Sequence, residues 1–193
     1  AKAFNDSFSN NNMTDITILQ NAYDSTLNDN SLKNINKMSG FDNYIKDYVF
    51  YYKYDTNDKI SIKTFIDKDT QNKLYKEYGE QVQIDIALPF ISLSDYNNIL
   101  KLYNMNQISM GNNEYLLTAN IDEISNYYNK TIESGKEISI NNYKLTPALK
   151  KVTNITLNNG SGADNIGTII IPDKVADSLE KGSLYFLGNY IKS

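Results

Sequence analysis

The two side-chain types that most often carry nucleophilic and acid–base chemistry are missing, since the chain has no His and no Cys. That removes a Ser/His/Asp triad, a thiol nucleophile, a His-based zinc site and a thiolate cluster. Arg is absent as well, so no planar fork can grip a phosphate or carboxylate, and Lys offers a point charge only. What remains is 23 Asp and Glu residues and 16 Tyr. Paired carboxylates can hydrolyse glycosides, but that chemistry depends on a separation that residue counts do not give. The acidic turns "DTND" (55–58) and "DKDT" (67–70) start like calcium loops, yet neither continues to the Gly and terminal Glu of an EF-hand. They read as solvated turns, with a loose calcium site drawn from several loops left open. The loop "NNGSGADNIG" (158–167) lacks the Lys of a phosphate loop and leads into a strand pattern, so it reads as a connector. No cofactor is indicated.

The Tyr-rich stretch "NYIKDYVFYYKY" holds the candidate binding residues: Tyr48, Tyr51, Tyr52 and Tyr54. Tyrosine gives rigid, amphipathic contact surface suited to recognition, and it is equally an ordinary strand former.

Around these residues the chain has the means to fold. It is 193 residues long with 40% hydrophobic and 22% charged residues, enough for one domain (1–193) or two small lobes (1–88 and 89–193). A net charge of -4 and a pI of 4.9 argue against nucleic acid as a partner, because duplex binding needs a basic surface to release counterions. The same charge opposes unaided adhesion to an anionic membrane. The longest apolar runs, "IALPFI" and "TIII", are far short of the roughly 18 residues that span a bilayer. A Cys-free chain suits export from a Gram-positive cell and the cytoplasm alike. The opening "AKAFNDSF" has neither an initiator Met nor a hydrophobic signal core, which points to a piece of something longer.

Periodicity then assigns the elements. "DITIL" alternates as a strand, and "DNSLKNINKMSGF" places Leu32, Ile35 and Met38 on one helical face. The Tyr-rich stretch and "KISIKTFI" read as a β-hairpin across "DTND". "DTQNKLYKEYG" is a short helix stopped by Gly79, and "QVQIDIAL" alternates as a strand with Val82, Ile84, Ile86 and Leu88 on one buried face. Pro89 closes it, and Ser92 or Ser94 caps a helix carrying Leu93, Tyr96, Ile99, Leu100 and Tyr103 inward. A strand at 114–119, a helix over 121–135, a hairpin turning at Asn141-Asn142 and a strand "VTNITL" follow. "TIII", a helix begun at Pro172 and stopped by Gly182, and a last segment "SLYFLGNYI" complete the chain. No regular βαβ period appears, so the expected class is α+β with mixed or antiparallel sheets and several short helices.

One run, "ISLSDYNNILKLYNMNQISMGNNEYLLTAN" (91–120), resembles the large extracytoplasmic domain of FtsX-like (MacB-type) ABC transporter permeases, in their BceB-like, bacitracin-resistance branch. There a "hydrophobic-S-x-SDYN" pattern opens a helix and an "N-E-Y" leads into a strand. "EISINNYKLTPAL" is similar to that family's hairpin, with Asn141-Asn142 where glycine is usual, and "TIIIPDKVADSL" to its "I-V-P-D" strand and helix. "FNDSFSNNNMTDITI" is similar to the stretch that follows its first membrane helix. The resemblance implies a non-enzymatic domain on the outer face of the cell membrane, inserted between two transmembrane helices. It further implies a cytoplasmic ABC ATPase as partner, often a sensor histidine kinase, and contact with a peptide antibiotic or a lipid-linked ligand. It carries no catalytic or metal residues. The alternative is a secreted or wall-anchored adhesin or glycan-binding module.

Overall fold

The computed structural model describes residues 14–20, 31–56, 58–157 and 163–192. Strand β1 (Ile16–Gln20) is followed by a 3-10 turn over Leu32–Lys37, the short helix α1 (Phe41–Tyr44) and the long strand β2 (Ile45–Asp55). A second 3-10 turn (Ile62–Phe65) and α2 (Lys68–Tyr78) precede β3 (Phe90–Ser92), which runs straight into α3 (Leu93–Leu102). Then come β4 (Glu114–Thr118), α4 (Asp122–Glu133), the hairpin β5 (Ile138–Ile140) and β6 (Tyr143–Pro147), α5 (Ala163–Ile166), β7 (Thr168–Ile171), α6 (Asp173–Asp177) and β8 (Glu180–Tyr190). The fold is α+β, built on one eight-stranded mixed sheet in the order β1-β8-β2-β3-β7-β4-β6-β5.

Local chemistry explains the elements that position the rest. Ser92 accepts a hydrogen bond from the Asp95 amide and so starts α3, while Asp67 does the same for α2 through Thr70. Asn141 and Asn142 both take positive φ, as a two-residue hairpin turn requires, and Asn tolerates that region better than most residues. All four residues of β7 are buried, because the strand is paired on both edges and covered on both faces.

The strand alternation divides the core. Phe90, Tyr115, Leu117, Ile169 and Ile171 face α4 and the 62–65 turn, where Phe65 and Tyr128 pack. Ile91, Leu116 and Ile170 point the other way, onto Tyr96, Ile99 and Leu100 of α3. A third cluster lies at the far end of the sheet, where Leu184 and Phe186 of β8 meet Leu32, Phe41, Tyr48 and Phe50.

Several expected elements form differently. The stretch after "DTND" does not return as a hairpin partner; β2 pairs antiparallel with β8 along its length. Ser61 and Thr64 form a reciprocal capping box that turns 62–65 into a 3-10 coil, so Ile60, Ile62 and Ile66 are buried by a turn and not by a strand. "QVQIDIAL" is extended and bonds to that coil and its flank instead of to a strand: Leu88 N–H donates to Ile60 O at 2.8 Å, the Ile62 and Lys63 amides donate to the Ile86 and Ile84 carbonyls at 3.1 and 2.9 Å, and one bridge joins Ser61 and Ala87. Ile84 and Leu88 are buried while Ile86 is exposed, so the single buried face expected of a strand does not form. "VTNITL" likewise makes a single bridge, Thr118 to Thr153. Leu32–Lys37 is a 3-10 turn and not an α-helix. Residues 163–166 of the expected connector form α5, while 158–162 lie outside the described residues.

Candidate functional site

β2 is the strand from which a site can be built, and its alternation sorts the four candidate tyrosines. Tyr48 and Tyr52 share a face with Phe50, against Phe186 and Leu184 of β8. Tyr51 points to the opposite face and is buried, its ring stacked on Tyr185 with centroids 4.8 Å apart and planes 7° from parallel. Tyr54 lies past an irregularity in the β2–β8 register between Tyr52 and Tyr54, and packs toward the α4 side of the core. The four therefore do not converge. Tyr52 is flanked by the ammonium groups of Lys181 and Lys33, 4.9 and 5.2 Å from its ring centroid, so its face is already occupied by cations.

The register irregularity has a cause in sequence. A Cβ at Gly182 would sit 2.5 Å from the Lys53 carbonyl, so only glycine lets the two strands pass there. Gly182 thus serves a bulge inside β8 instead of stopping a helix, and α6 ends at Asp177.

The bulge directs Lys53 inward. Its Nζ lies 3.0 Å from Asp164 Oδ1 and 4.7 Å from the centroid of Tyr185. The Asp164 side chain is 0% exposed, and Thr168 Oγ1 donates to it at 3.3 Å. Burial pushes the Asp164 carboxyl up, and the Lys53 ammonium, with hydrogen bonds from Lys53 and Thr168, pulls it back. Tyr51 is raised well above the ordinary tyrosine range by burial first and by the Asp164 charge next. The Tyr51 hydroxyl is buried with no hydrogen-bond partner among the described residues, unlike Tyr96 and Tyr115, which donate to the carbonyls of Ile155 and Lys136.

A second acidic group ties α3 to its neighbours. Asp95 accepts from the Tyr52 amide at 3.3 Å, and Asp173 accepts from both the Ser94 amide and the Ser94 hydroxyl. Burial raises Asp95, while the Tyr52 amide and Ser92 lower it. Tyr54 beside them is pushed up to about 12 by burial and then by Asp95. Both carboxylates thus join elements together.

The acidic turns divide in the same way. Asp67 caps α2, and its carboxyl is held low by the Thr70 amide. Asp55 and Asp58 line an open cleft of about 520 Å³ with Asn141, Ser178 and Glu180, where Asp58 accepts from the Asn141 amide at 2.7 Å. Among the described residues no group of three or more acidic side chains is placed to hold a metal ion.

Sequence reasoning passed over Lys53 and Asp164, and read Asp95 only as an acid in the first turn of its helix. One signal was available: Lys53 is the only charged residue between Val49 and Tyr54 in an otherwise apolar and aromatic strand, which calls for a buried partner. Asp164 gives no such signal, because its neighbours read as a loop.

The two ends of the described chain meet at the opposite end of β2. β1 runs antiparallel to β8 with Ile16 opposite Gly188. Asp15 N–H donates to Gly188 O at 3.0 Å, and the Asp15 carboxylate accepts from Tyr190 N–H at 2.9 Å. Compared with known proteins, the chain matches no family model, no curated protein and no solved structure.

Proposed function

We propose that the chain is a non-enzymatic receptor and coupling domain, borne on the outer face of the cell membrane by an ABC permease of the FtsX-like, BceB-like kind. The observation that carries this reading is the meeting of the first and last described strands at Asp15 and Tyr190. A domain inserted between two membrane helices must enter and leave on the same side, and Asp15 and Tyr190 are hydrogen-bonded neighbours. Force applied at either end would enter through β1 and β8, which are adjacent and antiparallel, and pass along the long ladder to β2. Binding suits the chemistry on hand, for the partly buried charged residues Lys53 of β2 and Asp95 of α3 are spent on joining elements. In this reading ATP hydrolysis comes from a separate cytoplasmic subunit, and the ligand is a peptide antibiotic or a lipid-linked molecule.

The chain has no cysteine, so a single Cys placed at the exposed Leu149 is a unique label within it. In cells expressing the full-length gene product with Leu149→Cys, a membrane-impermeant maleimide should label intact cells as fully as lysed ones. The labelled protein should stay with the membrane after muramidase treatment and co-purify with an ATPase. Labelling only after lysis ends the extracytoplasmic reading. Release by muramidase instead assigns a wall-anchored adhesin.

A further inference from the structure

The order of strands places β2 inside the sheet, yet one of its edges is largely open. β3 meets β2 at a single residue pair, Tyr54 with Phe90, and on that edge, away from β8, no described strand opposes β2 between Asp47 and Tyr52. The direction of the backbone groups along that stretch follows from the register. Gly188 accepts from Asp15 and so turns its carbonyl toward β1. Its partner across the ladder, Tyr48, therefore turns its amide and carbonyl away from β8, as do Phe50 and Tyr52 by alternation. Tyr52 bears this out, since its amide leaves the sheet to reach Asp95. The amides and carbonyls of Tyr48 and Phe50 face the same way, with no strand among the described residues to meet them.

Beside this edge runs a groove of about 470 Å³, walled by Asn98, Lys101 and Leu102 of α3 and floored by Val49 and Phe50. Its size falls in the roughly 300–1,000 Å³ span of ligand sites. Proteins normally blunt such an edge with a covering helix or a charge. Here α3 does so at its N-terminal turn through Asp95, and beyond that turn the groove lies between Asn98, Lys101 and Leu102 and the strand.

We infer that the open edge of β2 from Tyr48 to Phe50 accepts an extended strand from a partner polypeptide, one that carries an acidic side chain opposite Lys101. Unpaired backbone donors and acceptors at strand spacing are matched by another extended backbone, and main-chain hydrogen bonds supply the affinity in such additions. The groove argues against a second copy of this chain as the occupant. Another β2 edge would bring its own α3 wall, and two walled edges cannot approach to strand spacing. Charge selects further. Lys101 is exposed and makes no ion pair among the described residues, whereas Asp47 is engaged by the Asn189 side-chain amide at 2.8 Å. An incoming carboxylate thus finds the available countercharge on the α3 side. The strand edge belongs to the chain whether or not it stands on a membrane, so this inference goes beyond the permease reading and fails separately from it.

The test is a titration of the isotope-labelled chain with an acetylated, amidated Val-Glu-Val-Thr-Val peptide at millimolar concentration, read by amide NMR. The Tyr48 and Phe50 amides should shift and gain protection from exchange. A peptide N-methylated at alternate residues should leave both unmoved, and Lys101→Glu, a surface change that spares the fold, should weaken binding about five-fold. Unmoved Tyr48 and Phe50 amides overturn the inference, as does a response that survives N-methylation. Protection of these amides in the peptide-free chain at concentrations where it self-associates also overturns it and assigns the edge to a second copy.

Discussion

Lys53–Asp164 and Lys63–Asp85 are the same chemical pair in two settings. Lys63 lies closer to its partner, at 2.6 Å against 3.0 Å, but its pair is 50% and 70% exposed, whereas the Lys53 and Asp164 side chains are 16% and 0% exposed. Distance ranks the Lys63 pair first; environment reverses the order. Water and salt screen the exposed charges, and holding two long side chains together costs rotamer entropy. The buried charges have no such screen, so each depends on the other to offset its lost hydration. The buried pair also joins segments 111 residues apart, β2 and the short helix before β7, while the exposed one decorates the flank of a local coil.

The sharpest way to break this comparison is to remove one partner of the buried pair. Asp164→Ala leaves the Lys53 ammonium facing Tyr185 and a carboxyl-shaped void, and it should cost about 3–5 kcal/mol in urea unfolding. Lys53→Ala should cost a similar amount. The double change Lys53→Met with Asp164→Leu should recover most of the loss, because neither charge is then stranded. Single variants that unfold at the parent midpoint would show that the pair does not hold the two segments.

That pair also marks the limit of what could be read from residues. Signals that act within a few positions came through: the Ser92 cap of α3, the Asn141-Asn142 turn, and the wholly apolar "TIII" of β7 each depend on near neighbours. The identity of long-range partners did not. Alternation makes β2 a strand, but nothing in "NYIKDYVFYYKY" says that it pairs with residues beyond 180, and the adjacent "DTND" turn supported a hairpin that the Ser61–Thr64 capping box preempts. Gly182 reads as a helix stop until Lys53 is known to cross it. Of the candidate site, the Tyr residues were legible and their division between two faces partly so. The buried Asp164 and the open edge were not, because both are defined by which strand is, or is not, next to β2.

Tyr51 sharpens the comparison at smaller scale. Its hydroxyl lies in the field of Asp164 with no partner among the described residues, so it shares the desolvation and none of the compensation. Tyr51→Phe should keep the stack on Tyr185 and stabilise the chain by about 1 kcal/mol in thermal unfolding. A loss of stability would mean that the hydroxyl is hydrogen-bonded within the fold.

Acid titration separates two carboxylates of opposite sign. Asp164 is raised above the ordinary 3.8 by burial, so its folded form favours the proton. Its contribution is fullest below 3.8 and declines as pH rises through the folded-state pKa. Asp67 is lowered by the Thr70 amide, so its contribution is present above 3.8 and lost as pH falls through its folded value. In urea unfolding across the acidic range, the advantage of the parent over Asp164→Asn should shrink with rising pH, while its advantage over Asp67→Asn should grow. Parallel curves for the two variants would contradict the assigned environments.

The smallest effect belongs to the shorter bond. Lys63 is raised by its hydrogen bond to Asp85, so a contact is made, yet both side chains stay at least half in water, where the attraction is weak. Asp85→Ala should therefore leave the unfolding midpoint unchanged, and molar salt should not widen the difference from the parent, since little attraction is left to screen. The same salt should leave the gap between the parent and Asp164→Ala intact, because mobile ions do not enter the space around a fully buried carboxylate. A midpoint shift for Asp85→Ala as large as that for Asp164→Ala would put distance above environment and reverse the ranking of the two pairs.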